Sequence, residues 1–336
     1  MSGPGPRVAV LYNEPVLPAD HPDARSEADV VAVAHAVGEA LIAGGLDARP
    51  LAAGPPVSGL VSDLTEARPD LVFNLIEGFG GRSGGEAQVT ALLELLGLPY
   101  TGCPSEAQAL CHRKGATKAL LLGNGLPTAP FLVLEPGDPI PSLSWLGPAM
   151  VKPEAEDASL GIDQGSVVSS PAELATRVAE LQKAYGPGVM VEAYLPGPEF
   201  NVGVLGLAEP EALPVAEVVY QPAPGSWPIL TYGAKWAEGS DEDRASPVRC
   251  PAQIDEGLAV RLRRLAVAAF RATGCRDVAR VDFRLDERGE PMILEVNPNP
   301  DLGASAGWAR ALRVSGRDYK ETLVALARQA LERGPL

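Results

Sequence analysis

At 336 residues, 46% hydrophobic and 21% charged, the chain can hold two or three domains of roughly 100–200 residues each and is too apolar to be disordered. Its formal net charge of −15 sets up a field that repels nucleic acid and anionic membrane surfaces, which excludes them as partners more firmly than it excludes a small anion held by local cations. Cys103, Cys111, Cys250 and Cys275 form no C-x-x-C pair, so neither a zinc site nor a disulfide framework is expected, only reduced, buried thiols.

The chain runs almost at once into an apolar strand at residues 7–12. It shows no secretion signal and no apolar run long enough to span a bilayer, so the cytoplasm is the expected location. Ser26 is placed to cap an amphipathic helix that continues through residues 30–43 and stops at Gly44-Gly45. Residues 70–75 read as a second buried strand and 86–96 as a helix ending at Gly97. This β-α-β-α order predicts a parallel sheet with helices on its faces.

A boundary is expected near residues 110–130, where a helix over 114–122 gives way to the stiff run Gly125-Leu126-Pro127-Thr128-Ala129-Pro130. A small α+β module follows, with strands at 149–153 and 189–193 and a helix near 171–185. Beyond Glu199 come strand-like runs and a long helix over 255–273. Strands 279–285 and 292–297 then form a hairpin around Asp286-Glu287-Arg288-Gly289, and a helix over 319–331 closes the chain. The expected fold is mixed α/β and α+β, divided as 1–112, 113–198 and 199–336.

Several familiar motifs are absent. Gly78-Phe79-Gly80-Gly81-Arg82-Ser83-Gly84-Gly85 follows a strand and precedes a helix, but Ser83 breaks the G-x-G-x-x-G spacing. No phosphate-binding G-x-x-x-x-G-K-[ST] loop and no G-x-S-x-G elbow occurs, and His21, His35 and His112 are too scattered for a metal triad. The glycines are read as a mobile loop able to approach a ligand closely, with a plain connection as the alternative.

The main chemical signal lies near the C-terminus. Residues two apart in a strand share a face, so Glu295 and Asn297 project together and Asp282 can join them from the neighbouring strand. Leu294 and Val296 should then point into packing. Three hard oxygen donors on one face suit magnesium, whereas a solvated hairpin surface would explain the acids without function. Arg280 shares the face of Asp282 and could hold a carboxylate or a developing oxyanion. Lys152 ends an apolar strand and Lys114 begins a helix. Two lysines converging from separate elements would replace a phosphate-binding loop as the counter-charge of a nucleotide.

Read in order, Gly97-Leu98-Pro99-Tyr100-Thr101-Gly102, Lys114, Val151-Lys152-Pro153, Ser159-Leu160-Gly161, Gly197-Pro198-Glu199-Phe200, Lys235, Arg280-Val281-Asp282 and Leu294-Glu295-Val296-Asn297 resemble the D-alanine–D-alanine ligase pattern of the ATP-grasp superfamily. The resemblance implies an ATP-grasp fold behind an N-terminal α/β domain, with ATP held between the central and C-terminal parts. It implies phosphate contacts from Lys114 and Lys152, an adenine pocket lined by Glu192, Ala193 and Leu195, and a ribose contact from Glu199. Lys235 would reach the γ-phosphate, Ser159 would make a backbone contact in a closing loop at 156–161, and Glu27 would hold the first substrate's amino group. Asp282, Glu295 and Asn297 would bind two magnesium ions, with manganese as the alternative, and Arg280 would orient the transition state. A homodimer is also implied, though the sequence carries no interface signal of its own.

Three positions depart from the family pattern: Glu77 stands where the ligases carry histidine, Ala158 where they carry serine, and Asp301 in the turn that binds the second substrate's carboxylate. All lie in the substrate half. The expected activity is therefore amide formation through an acyl phosphate on amino-acid or peptide substrates other than two D-alanines, with Glu77, Glu86, Tyr232 and Asp301 as candidate substrate contacts. The alternatives are a D-alanine–D-alanine ligase and a non-catalytic ATP-binding module.

Overall fold

The structure is a computed structural model that describes residues 5–16, 24–142, 147–157, 159–236 and 239–335, without the side chains of residues 24–28 and Trp236. The N-terminal part consists of β1 (Arg7–Asn13), α1 (Ala24–Ala43), β2 (Asp47–Ala53), α2 (Val57–Ala67), β3 (Leu71–Asn74) and α3 (Gly85–Leu95). β1 pairs in parallel with both β2 and β3, giving the order β2-β1-β3. The parallel sheet was expected, but it has one more βα unit than the sequence pattern indicated. β2 escaped because it is an edge strand with polar residues and Pro50, and an edge tolerates a missing N–H. Among the described residues α1 runs from Ala24, so Ser26 falls within the helix and not at its start. Ala24 and Arg25 are strong helix formers that extend the helix beyond the serine.

The glycine-rich stretch folds into a tight reversal. Phe79 and Arg82 pair across Gly80 and Gly81. Both glycines have positive φ, the backbone that two-residue hairpin turns require.

α4 (Ser105–His112) and α5 (Lys114–Gly123) lead into a four-stranded antiparallel sheet. It contains β4 (Phe131–Leu134), β5 (Ala149–Pro153), β6 (Val167–Val168) and β7 (Val189–Ala193) in the order β4-β7-β5-β6. α6 (Pro171–Tyr185) packs on it and is started by Ser170 and Glu173, each bonding the other's backbone N–H. Leu174, Val178 and Leu181 of this helix bury against Val151, Val189 and Val191.

A six-stranded antiparallel sheet follows. Its elements in chain order are β8 (Glu199–Gly206), β9 (Glu211–Ala212), β10 (Ala216–Val218), α7 (Tyr232–Trp236), α8 (Asp241–Arg244), β11 (Val248–Arg249), α9 (Glu256–Ala272), β12 (Asp277–Leu285) and β13 (Pro291–Asn297). The order is β11-β10-β8-β12-β13, with β9 beside β8. α9, capped by Asp255, buries Leu258, Leu262, Ala266 and Phe270 against the sheet. The hairpin between β12 and β13 turns at the expected place, where the Asp286 carboxylate accepts from the Arg288 and Glu290 amides at 2.8 Å each.

α10 (Gly307–Val314) and α11 (Tyr319–Arg333) return to the start of the chain. Leu323, Leu326, Ala327 and Ala330 share one core with Val30, Ala34, Val37 and Leu41 of α1 and with Leu71 and Phe73 of β3. Asp277 knots this region together. Only 1% exposed, it accepts from Gly102 N at 2.8 Å, from Gln329 Nε2 at 3.2 Å and from both terminal nitrogens of Arg333 at 2.8 and 3.0 Å.

All four cysteines are free, and Cys103, Cys111 and Cys275 are buried; Cys250 is only half-buried, contrary to expectation. No helix among the described residues is long and apolar enough to cross a membrane.

Candidate functional site

A cleft of about 990 Å³, counting its open mouth, lies between the four-stranded and six-stranded sheets. On one wall are Lys152 from the end of β5, Lys114 from the start of α5, and Glu192, Ala193 and Leu195 around the end of β7. The opposite wall carries Glu199 from β8, Arg280 and Asp282 from β12, and Glu295 and Asn297 from β13. Ser159 comes from the loop after β5, whereas Lys235, expected on a mobile loop, comes from α7. Residues that the sequence placed in a nucleotide and metal site thus share one cavity.

The β12–β13 register explains the acidic wall. Asp282 faces Glu295 directly, and Arg280 faces Asn297. Between Asp282 and Phe283 the register shifts: Phe283 pairs with Ile293, so Leu294 is an extra residue on β13. This bulge corrects one expectation, because Leu294 lines the cleft beside Glu295 instead of entering the core, while Val296 is buried as expected.

Arg280 donates to Asp282 through Nε at 2.8 Å and Nη2 at 2.7 Å, with Glu295 Oε1 at 3.8 Å. Burial opposes the guanidinium charge, but Asp282 outweighs it and raises the pKa above the ordinary arginine value. Among the described residues no three His, Cys, Asp or Glu side chains form a metal cluster. Asp282, Glu295 and Asn297 together offer two carboxylates and one amide, a donor set of the kind that suits magnesium.

The lysine wall differs from its sequence reading. The Glu192 carboxylate is only 2% exposed and lies between two ammonium groups, with Lys152 Nζ at 2.6 Å and Lys118 Nζ at 2.8 Å. Burial disfavours its charge, but Lys118 and Lys152 together overcome that and hold its pKa at about 2. Glu192 is therefore the lysines' counter-ion as well as a lining residue of the cleft. Lys118, 1% exposed, also reaches Thr128 Oγ1 at 2.5 Å and was not singled out from the sequence. Its signal was its place one helical turn after Lys114, on the same face of α5.

Lys114 donates to the Glu156 carbonyl and lies 3.5 Å from Asp157 Oδ1. Asp157 also meets His112 Nδ1 at 3.2 Å; burial would raise its pKa, but Lys114 and His112 drive it down. Glu156 accepts from Ser83 Oγ at 3.0 Å, which ties the loop after β5 to the glycine turn. Ser159 has φ of +64°, a backbone that a non-glycine residue adopts only when its surroundings hold it. Glu199 accepts from Tyr220 OH at 2.7 Å, and Arg284 is 3.7 Å away. Burial raises the Glu199 pKa and Arg284 offsets part of the rise.

The substrate-half residues adjoin this cleft without lining it. Glu86, 7% exposed in the first turn of α3, has its pKa pushed well up, first by burial and then by the Asp157 charge. Asn299, missed in the sequence reading, donates Nδ2 to Ile76 O at 2.6 Å and to Glu86 Oε2 at 3.4 Å, while its backbone N–H donates to Asn297 Oδ1 at 2.8 Å. It thereby links the proposed metal asparagine to the strand end that carries Glu77. Glu77 is open to water at its surface but walled in by protein; that crowding, with Asp301 nearby, raises its carboxyl to about 7 despite Lys235. The Lys235 ammonium has its pKa lowered by the same crowding and by Arg280. Tyr232 opens α7, its N–H donating to Ile162 O at 3.0 Å. The Glu27 side chain and Ala158 lie outside the described residues.

Known proteins resemble the chain along most of its length. The family described as D-ala D-ala ligase C-terminus matches residues 120–328. A D-alanine–D-alanine ligase of Pelotomaculum thermopropionicum is 34% identical over 81% of this chain and 84% of its own. The uncharacterised protein y4sG of Sinorhizobium fredii is 36% identical over 75% of this chain and 72% of its own. A Bacillus anthracis D-alanine–D-alanine ligase, solved in complex with ATP, superposes with a TM-score of 0.76 over 98% of both chains at 18% identity.

Proposed function

The chain belongs to the D-alanine–D-alanine ligase family of the ATP-grasp superfamily, and we propose that it is an ATP-dependent carboxylate–amine ligase that forms an amide on substrates other than two D-alanines. The observation that carries this is the shared cleft, with Lys114 and Lys152 on one wall and Arg280, Asp282, Glu295 and Asn297 on the other. Phosphoryl transfer requires mainly positioning and neutralised charge, and these residues supply both.

A substrate carboxylate would attack the γ-phosphate of ATP, releasing ADP and leaving an acyl phosphate. An amine would attack its carbonyl, and the tetrahedral intermediate would collapse to an amide and inorganic phosphate. Lys114, Lys152 and Lys235 would face the phosphates, and the Arg280 guanidinium would stabilise the developing oxyanion. Asp282, Glu295 and Asn297 would hold two magnesium ions, which when bound neutralise phosphate charge. The loop at 154–157, tied to Ser83 and Lys114, would keep water from the labile acyl phosphate.

The amine arrives largely as an ammonium ion and must lose a proton before it attacks. A carboxyl titrating at about 7 beside the cleft suits Glu77 to accept that proton. Asp301 puts a negative charge where the family's turn receives a carboxylate, which favours a different acceptor.

Phosphate release measured across pairs of amino acids and short peptides, with product masses, tests this reading. An ATP-dependent amide from a pair other than two D-alanines is the expected result. Turnover of D-alanine alone would make the enzyme a D-alanine–D-alanine ligase, as its named relatives are. ATP binding without phosphate release from any pair would make it a binding module.

A further inference from the structure

The buried ion cluster behind the lysine wall has an uneven stoichiometry: two ammonium groups share one carboxylate. Lys118 is 1% exposed and lies behind Glu192, reaching Glu192 Oε2 at 2.8 Å, Thr128 Oγ1 at 2.5 Å and Ile293 O at 3.3 Å. Lys152 lies in front, on Glu192 Oε1 at 2.6 Å, and lines the cleft. Lys118 does not line it. A buried carboxylate left with a single lysine would hold that lysine tightly, because separating a buried pair leaves an uncompensated charge. With a second lysine in place, Glu192 keeps a partner when Lys152 turns toward the cleft.

From this geometry we propose that Lys118 is a positioning residue for nucleotide binding: it serves as the standing counter-ion of Glu192 and so releases the Lys152 ammonium to the phosphates. The inference rests on the proposed ATP site and adds a residue that touches neither nucleotide nor metal. Several observations support it. Thr128 and Ile293 O hold Lys118 from behind, anchoring it to β13, so it does not follow Lys152 forward. Lys152 lines the cleft and Lys118 does not, so the front lysine is the one placed to meet an anion.

The test compares full-length wild type, Lys118→Met and Lys118→Met/Glu192→Gln by equilibrium titration with ATP and, in competition, with adenosine. Methionine keeps the length of the side chain without its charge. Lys118→Met should weaken ATP binding by about ten- to hundredfold, the scale of one charge-assisted contact tied up elsewhere, and leave adenosine within about twofold. The double variant, in which Glu192 no longer retains Lys152, should recover most of the ATP affinity relative to its own adenosine affinity. Equal loss for ATP and adenosine, unchanged ATP binding in Lys118→Met, or a double variant no better than the single one would each overturn the proposal. Wild-type ATP binding without ligation would sink the ligase reading while leaving this inference standing; absence of wild-type ATP binding would end both.

Discussion

Asp277→Ala should be among the most destabilising single changes outside the cleft. Asp277 gathers donors from Gly102, Gln329 and both terminal nitrogens of Arg333 while itself only 1% exposed. Breaking a buried pair by deleting one member costs about 3–5 kcal/mol. The Arg333 side chain is 22% exposed and can regain some water, which favours about 3 kcal/mol. A chain of 336 residues has an unfolding entropy near 0.7 kcal/mol per kelvin, so the melting midpoint should fall by about 4–7 °C. Asp277 also has φ of +61°, which asparagine tolerates better than alanine. Asp277→Asn keeps the shape and the hydrogen-bond acceptor, so its loss should be about half as large. Differential scanning calorimetry of the two variants decides the matter. An alanine variant melting within about 1 °C of wild type, or an asparagine variant as unstable as alanine, would refute the idea that this charge ties α11 to the turn at Gly102.

Other consequences concern the cleft. Glu295→Gln removes a metal-facing charge with little change in volume, so phosphate release should drop by two orders of magnitude or more, about 3 kcal/mol, with an unchanged melting curve; an active variant would exclude the metal role. Glu77 is protonated below about 7 and ionised above it, so kcat/KM should rise with pH through that region. Glu77→Gln should flatten this limb, and a retained inflection would assign it to another group. Asn299→Ala removes the amide joining Ile76 and Glu86 to the Asn297 side; the KM of the amine substrate should rise several-fold, with ATP affinity kept. If ATP affinity fell equally, the asparagine would be supporting the whole site instead of its substrate half. Chelation by EDTA should abolish phosphate release, and added magnesium should restore it.

The elements that were legible in the sequence are those where one local rule suffices. β5 and β7 are short apolar runs, α6 carries its own capping pair, and the turn before β13 is an Asp-Glu-Arg-Gly sequence. The acidic wall was legible because a period of two places Glu295 and Asn297 on one face. The same rule failed at Leu294, since a bulge arises from pairing between strands and leaves no mark in either strand alone. β2 was hidden by Pro50, harmless only at a sheet edge. Lys118, Asn299 and Asp277 were overlooked because their roles depend on partners far away in the chain. Asn299 reaches Ile76 and Glu86, and Asp277 reaches Gly102 and Arg333. Glu192 was read only as a lining residue of an adenine pocket, and its two lysine neighbours are what give its carboxylate a second role.

The packing of α11 on α1 and β3 also bears on how the polypeptide matures. On the ribosome the first strands emerge long before the helix that covers them has been made, and they must wait with an apolar face unprotected. Joining ends so distant in sequence is slow, and the waiting surface is exposed to aggregation in the meantime. Removing the last fifteen residues or so should therefore reduce the yield of soluble protein more than it disturbs any step of the chemistry.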